Sequence, residues 1–459
     1  MRRVAIVGGG IAGLSAAFYL ERARRNGAQI EWMLFEKSAR LGGVIKTEIC
    51  DGFVLEAGPD SFLSAKPEGA QFCRDLGIAD QLIYSNDTTR KTYVLVRDKL
   101  VEIPPGLEFM VPTRVWSIAT SPLFSFHTKL RMAGEWFTRS TNSDHDESVS
   151  DFVRRHFGEE MMERVAEPLL AGVYGGNADE MSARAVLPRF AEMERTSGSL
   201  VRATLKSRRK RRHNESAAQP LFTSLKGGMQ QIVDAALALL PPDRFRLQEP
   251  VSAVQPCNDD WEVTAGAKTE KFQAVLLGVP AIAAAGLLRR FHPRLIENLG
   301  EIHYSSSAAV VLGYDKANLP SGHGFLVPRS EGRKMMACTF VHRKFPYRAP
   351  EGAALLRCFF SSSRLPVLLN QSDEELLQVA RLELKDILGL AAEPCLQRVF
   401  RWESALPQYR VGHVERVAEM EGVLEEIPGV QVIGNSFHGI GIPDCIRSGR
   451  EAAERIISS

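Results

Sequence analysis

Gly8-Gly9-Gly10-Ile11-Ala12-Gly13 is the first place in this chain where residue type and spacing imply chemistry. It contains Gly-x-Gly-x-x-Gly, in which each glycine has a mechanical task. Gly8 permits a tight turn, Gly10 lets the backbone approach a pyrophosphate, and Gly13 lets a helix pack closely on a strand. The flanks agree. Val4-Ala5-Ile6-Val7 is a continuous apolar run, expected of a strand buried on both faces of a parallel sheet, and Leu14, Ala17, Phe18 and Leu20 come next at helical spacing. The N-terminus of that helix would aim free N–H groups and its positive dipole end at phosphates. A second strand, Ile30 to Phe35, ends at Glu36. An acidic residue at that distance accepts hydrogen bonds from both ribose hydroxyls and repels a 2′-phosphate, which disfavours NADP.

The residues beyond Glu36 favour FAD over NAD. Arg40-Leu41-Gly42-Gly43 offers another close backbone approach, and Gly58-Pro59-Asp60-Ser61-Phe62 comes after the strand-like run Phe53-Val54-Leu55. Two glycine-bearing turns so soon after the acid suit a longer ligand lying across the sheet. The far end repeats the theme: Gln431-Val432-Ile433 reads as a strand, then comes Gly434 to Gly441. Pro443 is placed early in a helix whose inward positions are Ile446, Ala453 and Ile456. That helix N-terminus would favour negative charge on a reduced flavin.

The rest of the chain must position these turns. Its 459 residues suggest about three domains at roughly 150 residues each. With 57 basic against 55 acidic residues, the charge balance excludes a dedicated nucleic-acid binder. The best apolar stretch, Ala274 to Leu288, contains Pro280 and is too short to span a bilayer. A strand beginning within three residues of Met1 leaves no room for a signal peptide. The seven cysteines form no Cys-x-x-Cys pair, as expected of reduced thiols in a cytoplasm rather than of a disulfide framework or zinc site. No metal is expected.

With these motifs in hand, the chain resembles the protoporphyrinogen/coproporphyrinogen oxidase family, FAD enzymes of the amine-oxidase-like superfamily. The resemblance runs end to end. It is carried by Gly8 to Gly13, Arg40 to Gly43, Gly58 to Phe62, Glu167-Pro168-Leu169-Leu170-Ala171-Gly172-Val173-Tyr174-Gly175-Gly176, Leu225 to Met229, Arg401-Trp402 and Gly434-Asn435 through Gly439 to Cys445. It implies an α/β fold: a Rossmann-like FAD-binding domain, a discontinuous substrate domain of mixed sheet plus helix, and a helical, membrane-docking insertion. The expected division is FAD domain 1–90, helical domain 91–215, FAD domain again 216–300, substrate domain 301–397 and FAD domain 398–459.

The resemblance also implies site residues. Non-covalent FAD would be held by Gly8, Gly9, Gly10, Ile11, Ala12 and Gly13, then by Glu36, Lys37, Arg40, Gly43 and Val44. Gly58, Pro59, Asp60 and Ser61 continue the site, with the Val251 backbone at the adenine and Trp402, Gly434, Ile440, Gly441 and Ile442 completing it. Phe325, Leu326, Met336 and Phe360 match positions that sandwich the macrocycle, although the sequence allows them equally to be core. Asp60 matches a polar residue near the reacting face and is the candidate for proton handling. His438, inside the C-terminal motif, reads as a positional residue. One departure concerns the propionates: some members carry Arg after Pro-x-Gly-Leu, whereas Glu108 comes after Pro105-Gly106-Leu107 here.

The implied reaction is hydride transfer from a porphyrinogen meso carbon to flavin N5 with loss of a pyrrole proton. Repeated three times with O2 as acceptor, it yields porphyrin and H2O2; the protein orients and the cofactor does the chemistry. Coproporphyrinogen III and protoporphyrinogen IX both remain open as substrate. So do an amine oxidase and a noncatalytic flavoprotein partner within a haem-pathway complex.

The middle of the chain is read as helical from Arg97 to Arg212, with Phe152, Val153, Phe157 and Met161 on one face of a helix from Val149 to Val165. Leu107 to Pro112 and Trp116 to Phe126 supply apolar residues for peripheral contact with the inner face of a membrane. The basic run Ser207 to His213 reads first as a solvated loop, with anionic lipid or a polycarboxylate substrate as the alternatives. Handover of product to the next haem-pathway enzyme is a further expectation.

Overall fold

A computed structural model describes residues 1–139, 145–213, 220–289, 291–367 and 370–458. The apolar run at the N-terminus forms the Arg2–Val7 strand at the centre of a five-stranded parallel sheet. Its spatial order is Phe245–Leu247, Ile30–Glu36, Arg2–Val7, Ala274–Leu277, Val430–Val432. Val4, Ala5 and Ile6 are wholly buried, as a strand covered on both faces requires. The helix Ile11–Arg25 covers one face and packs against the C-terminal helix Ile442–Ser458. Contact is so close that a Cβ on Gly449 would lie 2.2 Å from the Ala12 carbonyl, and Ser15 Oγ donates to Ile446 O at 2.9 Å. Pro443, Ile446, Ala453 and Ile456 are buried as expected. A three-stranded antiparallel sheet, Val251–Cys257, Asp260–Ala265 and Lys268–Phe272, seals the other face through Trp261, Val263 and Phe272.

A seven-stranded mixed sheet lies beside this unit, in the order Leu396–Pro407, Tyr304–Tyr314, Ala354–Ser361, Ala337–Phe340, Gly324–Leu326, Thr92–Val96, Lys99–Glu102. The helix Asp373–Leu388 covers one face, burying Leu376, Ala380 and Leu384 against Val310, Leu312 and Leu356. Its start is fixed by a capping box between Ser372 and Glu375, its end by Gly389 at φ +68°. This sheet revises two expected boundaries. The hairpin Thr92–Glu102 pairs here rather than joining the helical region, and Leu396–Pro407 pairs along Tyr304–Tyr314 rather than starting the last FAD segment. The pairing of one long, continuous strand outweighs a boundary drawn from motif positions.

The helical region packs around Phe152, Val153, Phe157 and Met161, none more than 1% exposed. The single helix expected from Val149 to Val165 is broken. Val149–Phe157 stops at Gly158, whose φ of +88° lies outside helical space, and a new axis begins at Glu159. Met110 and Val111 are fully buried, so Leu107 to Pro112 is a packed hairpin and not an exposed surface. Trp116 and Phe126 are exposed, together with Val115, Leu130 and Phe137. The basic run is not a loop: Leu200–His213 is helical to its end, with Arg208 donating to Thr113 Oγ1. The side chains of Lys210 to His213 lie outside the described part. No described helix is long and apolar enough to cross a membrane. All seven cysteines are free thiols, and the described residues hold no metal-ligand cluster.

Candidate active site

The glycine turn has the geometry its spacing predicts. Gly8 sits at φ +107°, and a Cβ there would lie 2.4 Å from Gly278 O; one on Gly13 would lie 2.0 Å from Gly8 O. Gly10 differs: its φ is −69° and a Cβ would meet no described protein atom within 4 Å. Its bareness therefore serves an open space in front of the helix N-terminus, where an anion belongs. Ile11 and Ala12 are buried in the first turn. Glu36 is held at both oxygens: Gly9 N–H donates to Oε2 at 2.7 Å, and Ser38 donates to Oε1 from N at 2.9 Å and from Oγ at 2.8 Å. One lone pair on Oε2 stays available for a ribose hydroxyl. Gln248 and Glu249 N–H groups donate to Ser38 O and Glu36 O, which brings Val251 to the same end. Lys37 is exposed at the surface of this end.

From this turn a backbone-lined track leads away. Gly42 N–H donates to Gly9 O at 2.7 Å, a Cβ on Gly43 would lie 3.3 Å from Gly10 Cα, and one on Gly58 would lie 1.9 Å from Val44 O. Arg40 braces the loop through the carbonyls of Leu41, Gly43 and Ile45. On the opposite side, Gly434 at φ +112° donates to Ser448 Oγ, and Gly441 N–H donates to Asp444 Oδ2. Asp444, at the start of the last helix, also takes Lys66 Nζ at 2.5 Å. That bond ties the helix N-terminus to the chain beyond the Gly58–Ser61 turn. Ile440 packs on the helical region and Ile442 is buried. Tyr409 orders the motif, its hydroxyl donating to Asn435 O and accepting from Gly439 N–H while its ring stacks on His413 at 4.0 Å. His438 points outward to Glu421 at 2.6 Å, as a positional residue would. An opening before Gly10, a ribose-ready carboxylate and a glycine-lined track fit a long dinucleotide such as FAD.

The Gly58–Ser61 turn is gripped by the seven-stranded sheet. Trp402 Nε1 donates to Ala57 O at 2.7 Å and Arg357 Nη2 to Gly58 O at 2.5 Å. Lys344 Nζ lies 3.0 Å from Asp60 Oδ2 and 3.1 Å from Ser61 Oγ, and Ser224 Oγ donates to Asp60 O. Beneath, Arg348 pairs with Glu56 at 3.1 Å; Thr47 Oγ1 and Met229 N–H complete that carboxylate. Burial opposes the charge on Asp60, but Lys344 and Arg357 outweigh it and hold the carboxyl well below the usual carboxylate range. Such a group is a poor proton acceptor, so Asp60 reads as an anchor of the turn.

Strand parity sorts the substrate candidates. Phe325 and Phe360 join Met335, Cys338 and Phe340 in the core beneath the Asp373–Leu388 helix, which removes them from any pocket. Alternate residues Leu326, Arg357, Phe359 and Ser361 turn to the other face, where Arg357 reaches Gly58 and Ser361 Oγ donates to Gly175 O, while Met336 is buried just ahead of the Ala337–Phe340 strand and outside its alternation. Phe359 is half-buried and directly flanked by Ala309 and Ala337 on the neighbouring strands, so its ring stands clear of them. Sequence reasoning missed Phe359 and kept Phe360. The signal was there: Leu355, Arg357, Phe359 and Ser361 form the parity that carries polar residues, whereas Ala354, Leu356, Cys358 and Phe360 are uniformly apolar. Opposite this face, Gly175 ends the Glu167–Tyr174 helix at φ +61°, against Leu406, Ser305 and Ser361. Burial, with Asp444 adding to it, pushes the Tyr174 hydroxyl up to about 12. Glu108, standing where an Arg was sought, pairs with Arg189 at 3.6 Å.

Comparison with known proteins agrees with this fold. The family model for flavin containing amine oxidoreductases matches residues 11–457. A coproporphyrinogen III oxidase of Bacillus subtilis (strain 168) is 33% identical, covering 98% of this chain and 97% of its own. One from Propionibacterium freudenreichii subsp. freudenreichii is 32% identical over 99% and 90%, and the chloroplastic protoporphyrinogen oxidase 1 of Spinacia oleracea is 28% identical over 98% and 83%. A crystal structure from Exiguobacterium sp. 255-15 superposes with a TM-score of 0.86 at 31% identity, covering 100% and 99% of the two chains. A putrescine oxidase at 17% identity and TM-score 0.73 shares the fold.

Proposed function

Since this chain belongs to the flavin containing amine oxidoreductase family and uses FAD, we propose that it oxidises coproporphyrinogen III to coproporphyrin III, with O2 as acceptor and H2O2 as by-product. The observation that carries this reading is end-to-end likeness to relatives of that name at 33% and 32% identity. When bound, FAD supplies two-electron oxidation. The chain's own residues bind, orient and exclude water. Gly8 to Gly13 and Glu36 hold the pyrophosphate and ribose; Arg40, Gly43, Val44 and Val251 shape the adenine half. Gly58 to Ser61, Trp402, Gly434 and Ile440 to Ile442 enclose the ring end. Leu326, Met336 and Phe359 form an apolar shelf for the macrocycle, under Tyr174 and Gly175. These shelf residues include no strong base, which suits a reaction that loses pyrrole N–H protons without a dedicated side-chain base. FAD is held without a covalent bond, since Arg401-Trp402-Glu403-Ser404-Ala405 carries no cysteine in the region where covalent-flavin relatives need one.

The division of labour runs with the sheets, with 1–90 and 216–300 chiefly binding FAD and 301–397 chiefly holding substrate. The helical region carries Val115, Trp116, Phe126, Leu130 and Phe137 exposed on two consecutive helices and the turn after them, which supports peripheral contact with a membrane.

The test is purified enzyme given anaerobically prepared coproporphyrinogen III or protoporphyrinogen IX, with air admitted at time zero. Porphyrin fluorescence is recorded against a no-enzyme control. Preference for the tetracarboxylate supports the reading and preference for protoporphyrinogen reassigns the substrate. Turnover of neither, with flavin bound, moves the enzyme to amine substrates.

A further inference from the structure

The Gly58–Ser61 turn rests on an unusual charge cluster. Lys344 pairs with Asp60 and Arg348 with Glu56, while the buried Arg357 guanidinium acts on both carboxylates, so three cations gather around two carboxylates in a desolvated space. Arg348 is wholly buried, and the side chains of Lys344 and Asp60 are 11% and 16% exposed. Phe222 and Phe345 stand 4.4 Å and 5.1 Å from Lys344 Nζ and keep water from it. Arg348 Nε and Nη1 and Arg357 Nε make no hydrogen bond among the described residues. Fold stability alone does not explain such a cluster, because burying surplus positive charge is costly.

We propose that Lys344, backed by Arg357 and Arg348, raises the reduction potential of the bound flavin by holding net positive charge beneath the Gly58–Ser61 turn. This rests on the placement of the isoalloxazine at that turn, the end of the glycine-lined track that starts at Gly10. Reduction adds two electrons and one proton to the oxidised ring and leaves an anion; the electrons come from porphyrinogen in turnover or from a dye couple in a titration. A fixed cation in low dielectric favours the anion over the neutral oxidised ring. Lys344 acts through space and through Asp60, and is a tuning residue.

The experiment is a midpoint-potential titration of holoenzyme against a reference dye, with flavin stoichiometry measured in each sample. Lys344→Met should disfavour reduction by about tenfold, roughly 30 mV for a two-electron couple, and Lys344→Arg should restore it. Asp60→Asn removes the opposing charge and should shift the potential the other way by a similar amount. Affinity for sulfite, which adds to the oxidised ring and leaves the same negative charge, should keep the same order: Asp60→Asn tightest, Lys344→Met weakest. Unchanged potentials, or shifts of one sign in both variants, overturn the proposal while leaving the flavoenzyme reading intact. A wild-type chain that binds no flavin overturns both. Should Lys344→Met fail to fold, the opposite-signed Asp60→Asn shift decides alone.

Discussion

Phe359 and Phe360 are adjacent, chemically identical and predicted to fail in opposite ways. Phe360 is wholly buried in the core under the Asp373–Leu388 helix. Truncation to Ala should leave a cavity that costs about 3–5 kcal/mol. At roughly 2–4 °C per kcal/mol for a cooperative unit of 150–250 residues, the melt should fall by about 6–20 °C. Phe359 faces the proposed shelf between Ala309 and Ala337, so Phe359→Ala should cost only about 1 kcal/mol of stability. It should instead lose the burial and ring contact made with substrate, roughly 2–4 kcal/mol together, or about thirty- to several-hundredfold in kcat/KM. Phe359→Tyr should recover most of it. The assay pairs a thermal melt with initial rates on coproporphyrinogen III. A Phe360→Ala protein that melts normally but turns over poorly, beside a Phe359→Ala protein that is unstable and active, would refute the parity argument.

The same geometry sets four further outcomes. Gly10→Ala should fold, since its Cβ meets no described protein atom, with a capping loss of about 1 kcal/mol or less. It should bind FAD weaker by roughly ten- to a hundredfold, the cost of an overpacked contact, as read by fluorescence titration of apoprotein. His413, pushed down to about 4 by burial, is neutral on Tyr409 at pH 7. A depressed pKa gives stability that is full above about 6.5 and drains away as pH falls towards 4, roughly 3 kcal/mol in all. His413→Gln should flatten that part of a pH–melting curve. Arg348→Met strands Glu56 and should cost about 3–5 kcal/mol in a denaturant melt; pairing it with Glu56→Leu should recover much of the loss. Trp116→Ser with Phe137→Ser should reduce flotation with anionic vesicles severalfold while leaving turnover in detergent-free buffer unchanged; equal flotation would remove the membrane reading.

The sequence by itself determined whatever depends on neighbouring residues. A turn that admits only glycine at Gly8 and Gly13 advertises itself within six positions, and the Val4–Val7 run before it names the strand. The distance to Glu36 predicts a contact with a ligand's ribose, and Pro443 marks the last helix. These demands are local, because backbone clashes and helix starts are settled over one turn of chain. Tertiary structure decided the rest. Phe359 and Phe360 differ only in which way an extended strand faces, and that is fixed by where the Asp373–Leu388 helix lands. The cluster of Glu56 and Asp60 with Lys344, Arg348 and Arg357 joins residues nearly three hundred positions apart, and no spacing rule links them. Each is an ordinary surface-type residue in sequence. Only the closing of the seven-stranded sheet over the Gly58–Ser61 turn removes their water and makes their charges act on one another.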